Sequence, residues 1–167
     1  DNSYTETYSD MLYSMPADIA VVDINSSGTD NMLFVGDMGG QLWRFDINNG
    51  ASSAANLVTG GVIADVGVAG GTNSAALNRR FYHRPDVALL FLDDTTKLAV
   101  TVGSGYRAHP LSTAAADRFY MFRQDDVFTI PGSYTKIVES DLYDATDNDV
   151  GESVSGAAAA LAAKKGW

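Results

Sequence analysis

The sequence predicts an all-β chain whose strands group into antiparallel four-stranded units. Three observations carry that prediction. Short β-branched and aromatic runs recur along most of the chain, separated by Gly, Asn, Asp and Ser. The runs are apolar on both faces, so the sheets they form must be covered on both sides. The plan is also repeated once, which is the mark of a unit that stacks on copies of itself.

The first unit is the clearest. Asp18 to Asp23 (DIAVVD) reads as a strand, Asn25 to Asp30 as a polar turn, and Asn31 to Gly36 (NMLFVG) as the returning strand. Asp37 to Gly40 (DMGG) supplies a tight turn, because Gly39 and Gly40 can take positive φ without steric cost. Gln41 to Asp46 (QLWRFD) follows as the third strand, and Leu57 to Val66 as the fourth. Within this unit Trp43 and Phe45 share one face and Leu42 takes the other, while Leu33 and Val35 oppose Met32 and Phe34.

The second unit starts at Asp86. Asp86 to Leu92 (DVALLFL) parallels DIAVVD, Asp93 to Lys97 (DDTTK) is an acidic turn, and Leu98 to Gly103 (LAVTVG) parallels NMLFVG. A longer excursion, Ser104 to Asp117, leads to Arg118 to Arg123 (RFYMFR) in the place of LWRFD. The repeat runs to about 65 to 70 residues, against roughly 40 to 45 for a compact propeller blade. The blade-like units are thus placed at about 16–66 and 86–140, within one partial domain spanning 1–167. Periodicity alone is equally compatible with stacked propeller blades and with a β-sandwich. Two units cannot close a propeller ring, which usually needs about four to eight, so the sequence reads as one arc of a larger assembly. Outside the strands, Gly67 to Asn78 is a small-residue loop and Ala157 to Lys165 (AAAALAAKK) a short helix former.

Composition narrows the function classes. The 167 residues carry 11 Lys+Arg against 21 Asp+Glu, a formal net charge of −10, and no basic cluster exceeds the pairs Arg79-Arg80 and Lys164-Lys165. Nucleic acid is not an expected partner, since phosphate binding needs a concentrated positive footprint. There is no Cys, which excludes disulfides, thiolate metal sites and Cys nucleophiles. The longest apolar run, Gly156 to Ala163, falls far short of the roughly 20 residues that a spanning helix needs.

Four blocks, DIAVVDINSSGTDNMLFVGDMGGQLWRFD, RRFYHRPDVALL, VGSGYRAHPL and DRFYMFR, stand in that order across roughly residues 16 to 125. In order and approximate spacing they resemble the C-terminal domain of the PilC/PilY family of bacterial type IV pilus tip adhesins. The resemblance implies part of a modified quinoprotein-like β-propeller, at the pilus tip or outer cell surface. The implied role is support of pilus biogenesis and attachment, by binding and not by catalysis. Pilus tip subunits (minor pilins) and host or abiotic surfaces are the implied partners. Family members continue past the terminal Gly-Trp into another strand. Two other readings share the blade signature: an arc of a quinoprotein dehydrogenase, and a calcium-loaded propeller of the FG-GAP type.

The resemblance also points to a calcium loop after the first strand, with an EF-hand-like pattern of ligands. Oxygen ligands at alternate positions of a tight turn converge on one hard cation, and a Gly at position six permits the bend. Here the positions are Asp23, Asn25, Ser27, Thr29 (through its carbonyl) and Asn31, with Gly28 at six. Only Asp23 is charged, so calcium is expected to bind weakly or not at all unless Asp30 or Asp37 turns inward. A metal-free turn, with Asn and Ser side chains bonded to nearby amides, is the competing reading. No other cofactor is expected.

His83 and His109 are the only histidines and lack further ligands at metal-site spacing. Arg107 and Asp117 flank the GSGYRAHP loop and could pair across its base. There is no G-x-S-x-G elbow for a Ser nucleophile, and Gly103-Ser104-Gly105 leads into Arg107, His109 and Pro110 and not into a helix. Trp43, Phe45, Phe119, Tyr120 and Phe122 recur at strand period two and read as core aromatics.

Overall fold

The computed structural model describes residues 6–67, 74–92 and 94–167. It is all-β with little helix, in two sheets. β1 (Ala20–Val22), β2 (Met32–Gly36), β3 (Gln41–Ile47) and β4 (Val58–Asp65) form an antiparallel meander in chain order, and the short β8 (Ile137–Val138) adds parallel to β4. The second sheet is the antiparallel set β5 (Asp86–Leu92), β6 (Thr95–Gly103) and β7 (Phe119–Gln124). One short helix, α1 (Ala157–Ala162), lies near the C-terminus.

The expected strands are present with small changes of boundary. β5 spans the predicted residues, whereas β6 starts at Thr95. Thr95, Thr96 and Lys97 pair with Leu92, Phe91 and Leu90, so the DDTTK turn is shorter than its polar composition suggests. Asp94 takes it round at φ +60°, and Asp93 lies outside the described residues. In the 67–78 loop, residues 68–73 also lie outside them, and Ala75–Leu77 form a 3-10 turn capped by Ser74. α1 ends at Ala162, before the two lysines. Its last carbonyls are taken by Arg123 of β7, which donates to Leu161 O at 2.8 Å and also to Lys164 O. A fixed guanidinium thus satisfies carbonyls at the end of the helix.

Residues Lys165–Trp167 run along the outer edge of β7. Met121 N donates to Trp167 O (2.7 Å), Trp167 N donates to Met121 O (3.0 Å) and Arg123 N donates to Lys165 O (2.8 Å). The fourth position of the second sheet is therefore filled from the C-terminal end of the chain. Ile137–Val138, near the end of the second expected unit, instead reaches back to β4 as β8.

The inner faces of the two sheets share one core. Ala20, Met32, Phe34, Leu42 and Ile63 of the first sheet meet Leu98, Val100, Val102, Tyr120 and Phe122 of the second, all buried. Phe81, fully buried, plugs one end: its Cβ packs against the bare backbone of Gly36, and its ring meets Tyr120 edge-on at 6.1 Å. On the opposite face of the first sheet, Val35, Trp43 and Val62 are covered by Tyr8 and Met15. Farther along that face Ile19 and Val21 are each 49% exposed. Of the expected core aromatics, Trp43, Tyr120 and Phe122 are buried and Phe45 is partly buried; Phe119 is the exception, 58% exposed beside the Trp167 ring.

The DMGG turn is built on a fully buried carboxylate. Asp37 Oδ1 accepts from Gly39 N (2.8 Å) and Gln41 N (2.9 Å), and Oδ2 accepts from Trp43 Nε1 (3.0 Å). Burial pushes its pKa up, and the three N–H donors oppose that shift. Gly40 sits at φ +81° with Gly67 packed against its Cα, so a side chain there meets both a steric and a conformational barrier.

Two polar networks fasten the 125–141 segment across the core, the first buried and the second opening to solvent at Glu139. In the first, Arg44, 1% exposed, holds Asp46 by Nε (2.9 Å) and Nη2 (2.7 Å) and donates to Asp126 O (2.7 Å) and Thr129 O (3.3 Å). Tyr134 Oη donates to Asp46 Oδ2 at 2.7 Å. In the second, Arg79 Nε donates to Tyr120 Oη (3.0 Å), and Tyr120 Oη donates to Glu139 Oε2 (3.1 Å).

Removing one partner of a buried pair leaves the other charge uncompensated. Asp46→Ala should therefore cost about 3–5 kcal/mol, read from urea unfolding. Tyr120 titrates at about 12 against an ordinary 10.0, chiefly through burial and then the Glu139 charge. Its pKa is raised on folding, so the stability it adds is complete below pH 10.0 and is lost as pH climbs to about 12. Unfolding curves across that window should show a falling slope that is reduced in Tyr120→Phe.

Candidate functional site

At the end of the first sheet where β1 meets β2 and β3 meets β4, three segments enclose a cleft of about 500 Å³. One wall is the 24–32 loop, the second is the 46–50 turn, and the third is Phe128, Thr129 and Ile130.

The first wall contains four of the five candidate calcium ligands, Asn25, Ser27, Thr29 and Asn31, and the fifth, Asp23, immediately precedes it; hydrogen bonds within the loop bring them together. Asp23 Oδ1 accepts from Ser27 N (3.0 Å) and Oδ2 from Gly28 N (2.7 Å). Asn25 Oδ1 accepts from Ser27 N (3.2 Å), and Asn31 Oδ1 accepts from Ile24 N (3.0 Å), closing the loop at its base. Gly28 takes the expected left-handed conformation at φ +84°, and Ser26 is also left-handed at φ +55°. From the second wall, Asn49 Nδ2 reaches across to Thr29 Oγ1 (3.2 Å) and Asp30 O (3.1 Å) and holds the loop against the turn.

The arrangement fits calcium in part. Ser27 Oγ lies 3.5 Å from Asp23 Oδ1 and 3.3 Å from Thr29 O, near the oxygen spacing of roughly 3.4 Å that a cation with ligands at about 2.4 Å requires. At positions three and nine, Asn25 Oδ1 and Asn31 Oδ1 each accept one backbone N–H, as Asp23 Oδ1 also does. Asp37 cannot supply a second carboxylate: it lies at the far end of β2, buried and fully hydrogen-bonded. Asp30, within the same loop, is exposed. Among the described residues no three His, Asp or Glu side chains converge as a metal-binding group.

The other two walls were not legible in the sequence. No motif or spacing in the sequence marks Asn48-Asn49-Gly50 or Phe128 as part of a site. Phe128 is 63% exposed in the structure, a large apolar ring left in water at the rim of the cleft. Its backbone is fixed from beneath by Arg44, which binds the carbonyls of Asp126 and Thr129 on either side. Among the described residues, Nδ2 of Asn25, Asn31 and Asn48 and Oδ1 of Asn49 have no hydrogen-bond partner.

The remaining singled-out residues lie elsewhere. His83 is exposed, and His109 packs edge-on against the Tyr106 ring in the 104–117 excursion. Arg107 is exposed and makes no ion pair with Asp117; the loop base is closed instead by Ser104 Oγ, which donates to Asp117 Oδ1 (2.9 Å) and accepts from Arg118 N (2.9 Å). A hydroxyl at the base does both jobs at shorter reach than a guanidinium. Arg80 stacks on Tyr106 at 4.1 Å from the ring centroid, tying the same excursion to the RRFYHRP stretch.

No known family's sequence profile matches the chain, and comparison with curated proteins gave no match. Among solved structures, the crystal structure of the Pseudomonas aeruginosa PilY1 C-terminal domain is similar, with a TM-score of 0.53 and 21% sequence identity. The likeness covers 74% of this chain and 28% of that one, so this chain spans well under a third of the domain it matches. At that identity the agreement is one of fold. Among the described residues no helix is long and apolar enough to cross a membrane.

Proposed function

We propose that the chain is an arc of a binding domain at the tip of type IV pili, acting in pilus assembly and surface attachment by contacts and not by catalysis. The observation that carries this reading is the fold shared with the PilY1 C-terminal domain. The four sequence blocks that resemble PilC/PilY adhesins fall on the described strands and their connections. The two sheets act as successive blades of a quinoprotein-like propeller, and the partly uncovered apolar face carrying Ile19 and Val21 supports stacking of a further sheet there. Minor pilins are the partners within the pilus, and the loops at the sheet ends face host or abiotic surfaces. The cell surface is the corresponding location.

In this reading the Asp23 loop is a weak calcium site at most, because one carboxylate supplies little of the charge that sets calcium affinity. Isothermal titration of the purified protein should give a dissociation constant no tighter than about 1 mM, abolished in Asp23→Ala. Submillimolar binding would overturn the metal-free reading of the turn.

The pilus role is tested in the bacterium that carries the gene. Deleting codons 16–125 should reduce surface pili and attachment, and antibodies to the domain should label pilus tips. Unchanged piliation and attachment, with label confined to the cell interior, would refute it.

A further inference from the structure

We propose that the cleft between the 24–32 loop, the 46–50 turn and Phe128 binds a neutral oligosaccharide. The inference rests on the binding role above for its biological setting, and on the cleft alone for its chemistry.

The lining decides the ligand class by elimination. No cation lines the cleft, and the chain carries a net charge of −10, so phosphorylated, sulfated or sialylated ligands meet repulsion and no counter-charge. The one ionisable lining group, Asp46, is 1% exposed and already bound by Arg44 and Tyr134, and Asp23 behind the wall accepts from Ser27 N and Gly28 N, so no lining carboxylate is free to pair with a cationic ligand. A purely apolar ligand is no better. It would strip water from the free amide groups of Asn25, Asn31, Asn48 and Asn49 without giving them a hydrogen bond.

What remains is an uncharged molecule with many hydroxyls and one apolar face. Side-chain amides both donate and accept, so a row of them can match adjacent hydroxyls. The exposed Phe128 ring then offers the platform on which the C–H face of a sugar ring can lie. The walls are preformed: the loop is closed by its own hydrogen bonds and held to the turn by Asn49, while Arg44 fixes the backbone beneath Phe128. Little ordering free energy is then lost on binding. A peptide is a poorer match, because extended peptides add to a free strand edge and this cleft lies across the turns at the strand ends.

The purified protein should be tested on an array of neutral hexose and N-acetylhexosamine oligosaccharides, with sialylated and sulfated glycans alongside. Retention of neutral members is expected, weakened about tenfold or more by Phe128→Ala and by Asn25→Ala at unchanged melting temperature, and restored by Phe128→Tyr. Failure to retain any neutral glycan would overturn the proposal, as would equal retention by Phe128→Ala, or selection of charged glycans only. The outcome is separable from the pilus reading: loss of pili on deletion without glycan binding removes the cleft proposal alone. Glycan binding without a pilus phenotype removes the pilus reading alone.

Discussion

The Arg44 guanidinium is the interaction on which the rest of this molecule depends. It is buried on the inner face of β3, neutralised by Asp46, and its remaining N–H groups hold the carbonyls of Asp126 and Thr129. A buried arginine is costly unless every donor finds a partner, and here the partners come from a segment more than eighty residues away. That requirement pins the 126–134 stretch across the end of the first sheet. Tyr134 completes the set by donating to Asp46, and burial raises the pKa of its phenol, keeping it a donor.

The same fastening produces the cleft. Phe128 lies between the two carbonyls that Arg44 holds, so its ring stands at the rim on a fixed backbone while the side chain remains in water. Facing it, the 24–32 loop is closed by hydrogen bonds, through Asp23 at one end and Asn31 at the other. Core and site are therefore not separate parts. The polar pair that ties the distal segment to the sheet also builds one wall of the recess where a ligand can lie.

At the other end of the first sheet, order comes from a second buried carboxylate. Asp37 gathers two turn amides and the Trp43 indole, and the close approach of Gly40 and Gly67 brings the chain after β4 against the same turn. Phe81 fills the space above Gly36 and touches Tyr120, which links this end to the second sheet and to the Arg79 and Glu139 network. Each end of the sheet thus carries one buried acid, and each acid is satisfied by groups on or beside β3. The fold likeness to the PilY1 C-terminal domain covers 74% of the chain.

Much of this architecture was written in local pattern. Period-two alternation placed β1 to β7 within a few residues and assigned Trp43 and Leu42 to opposite faces, because strand faces follow from backbone geometry alone. The left-handed Gly28 and the closed loop around Asp23 were legible for the same reason, since their partners lie within nine residues. The destination of β8, the C-terminal segment along β7, the exposure of Phe119 and the cleft wall at Phe128 were not. Those depend on which distant groups satisfy one another: the free edge of β4, the outer edge of β7, and the donors of a buried arginine. Sequence spacing carries no record of such pairings, because the cost of an unsatisfied buried group arises only once the chain has folded around it.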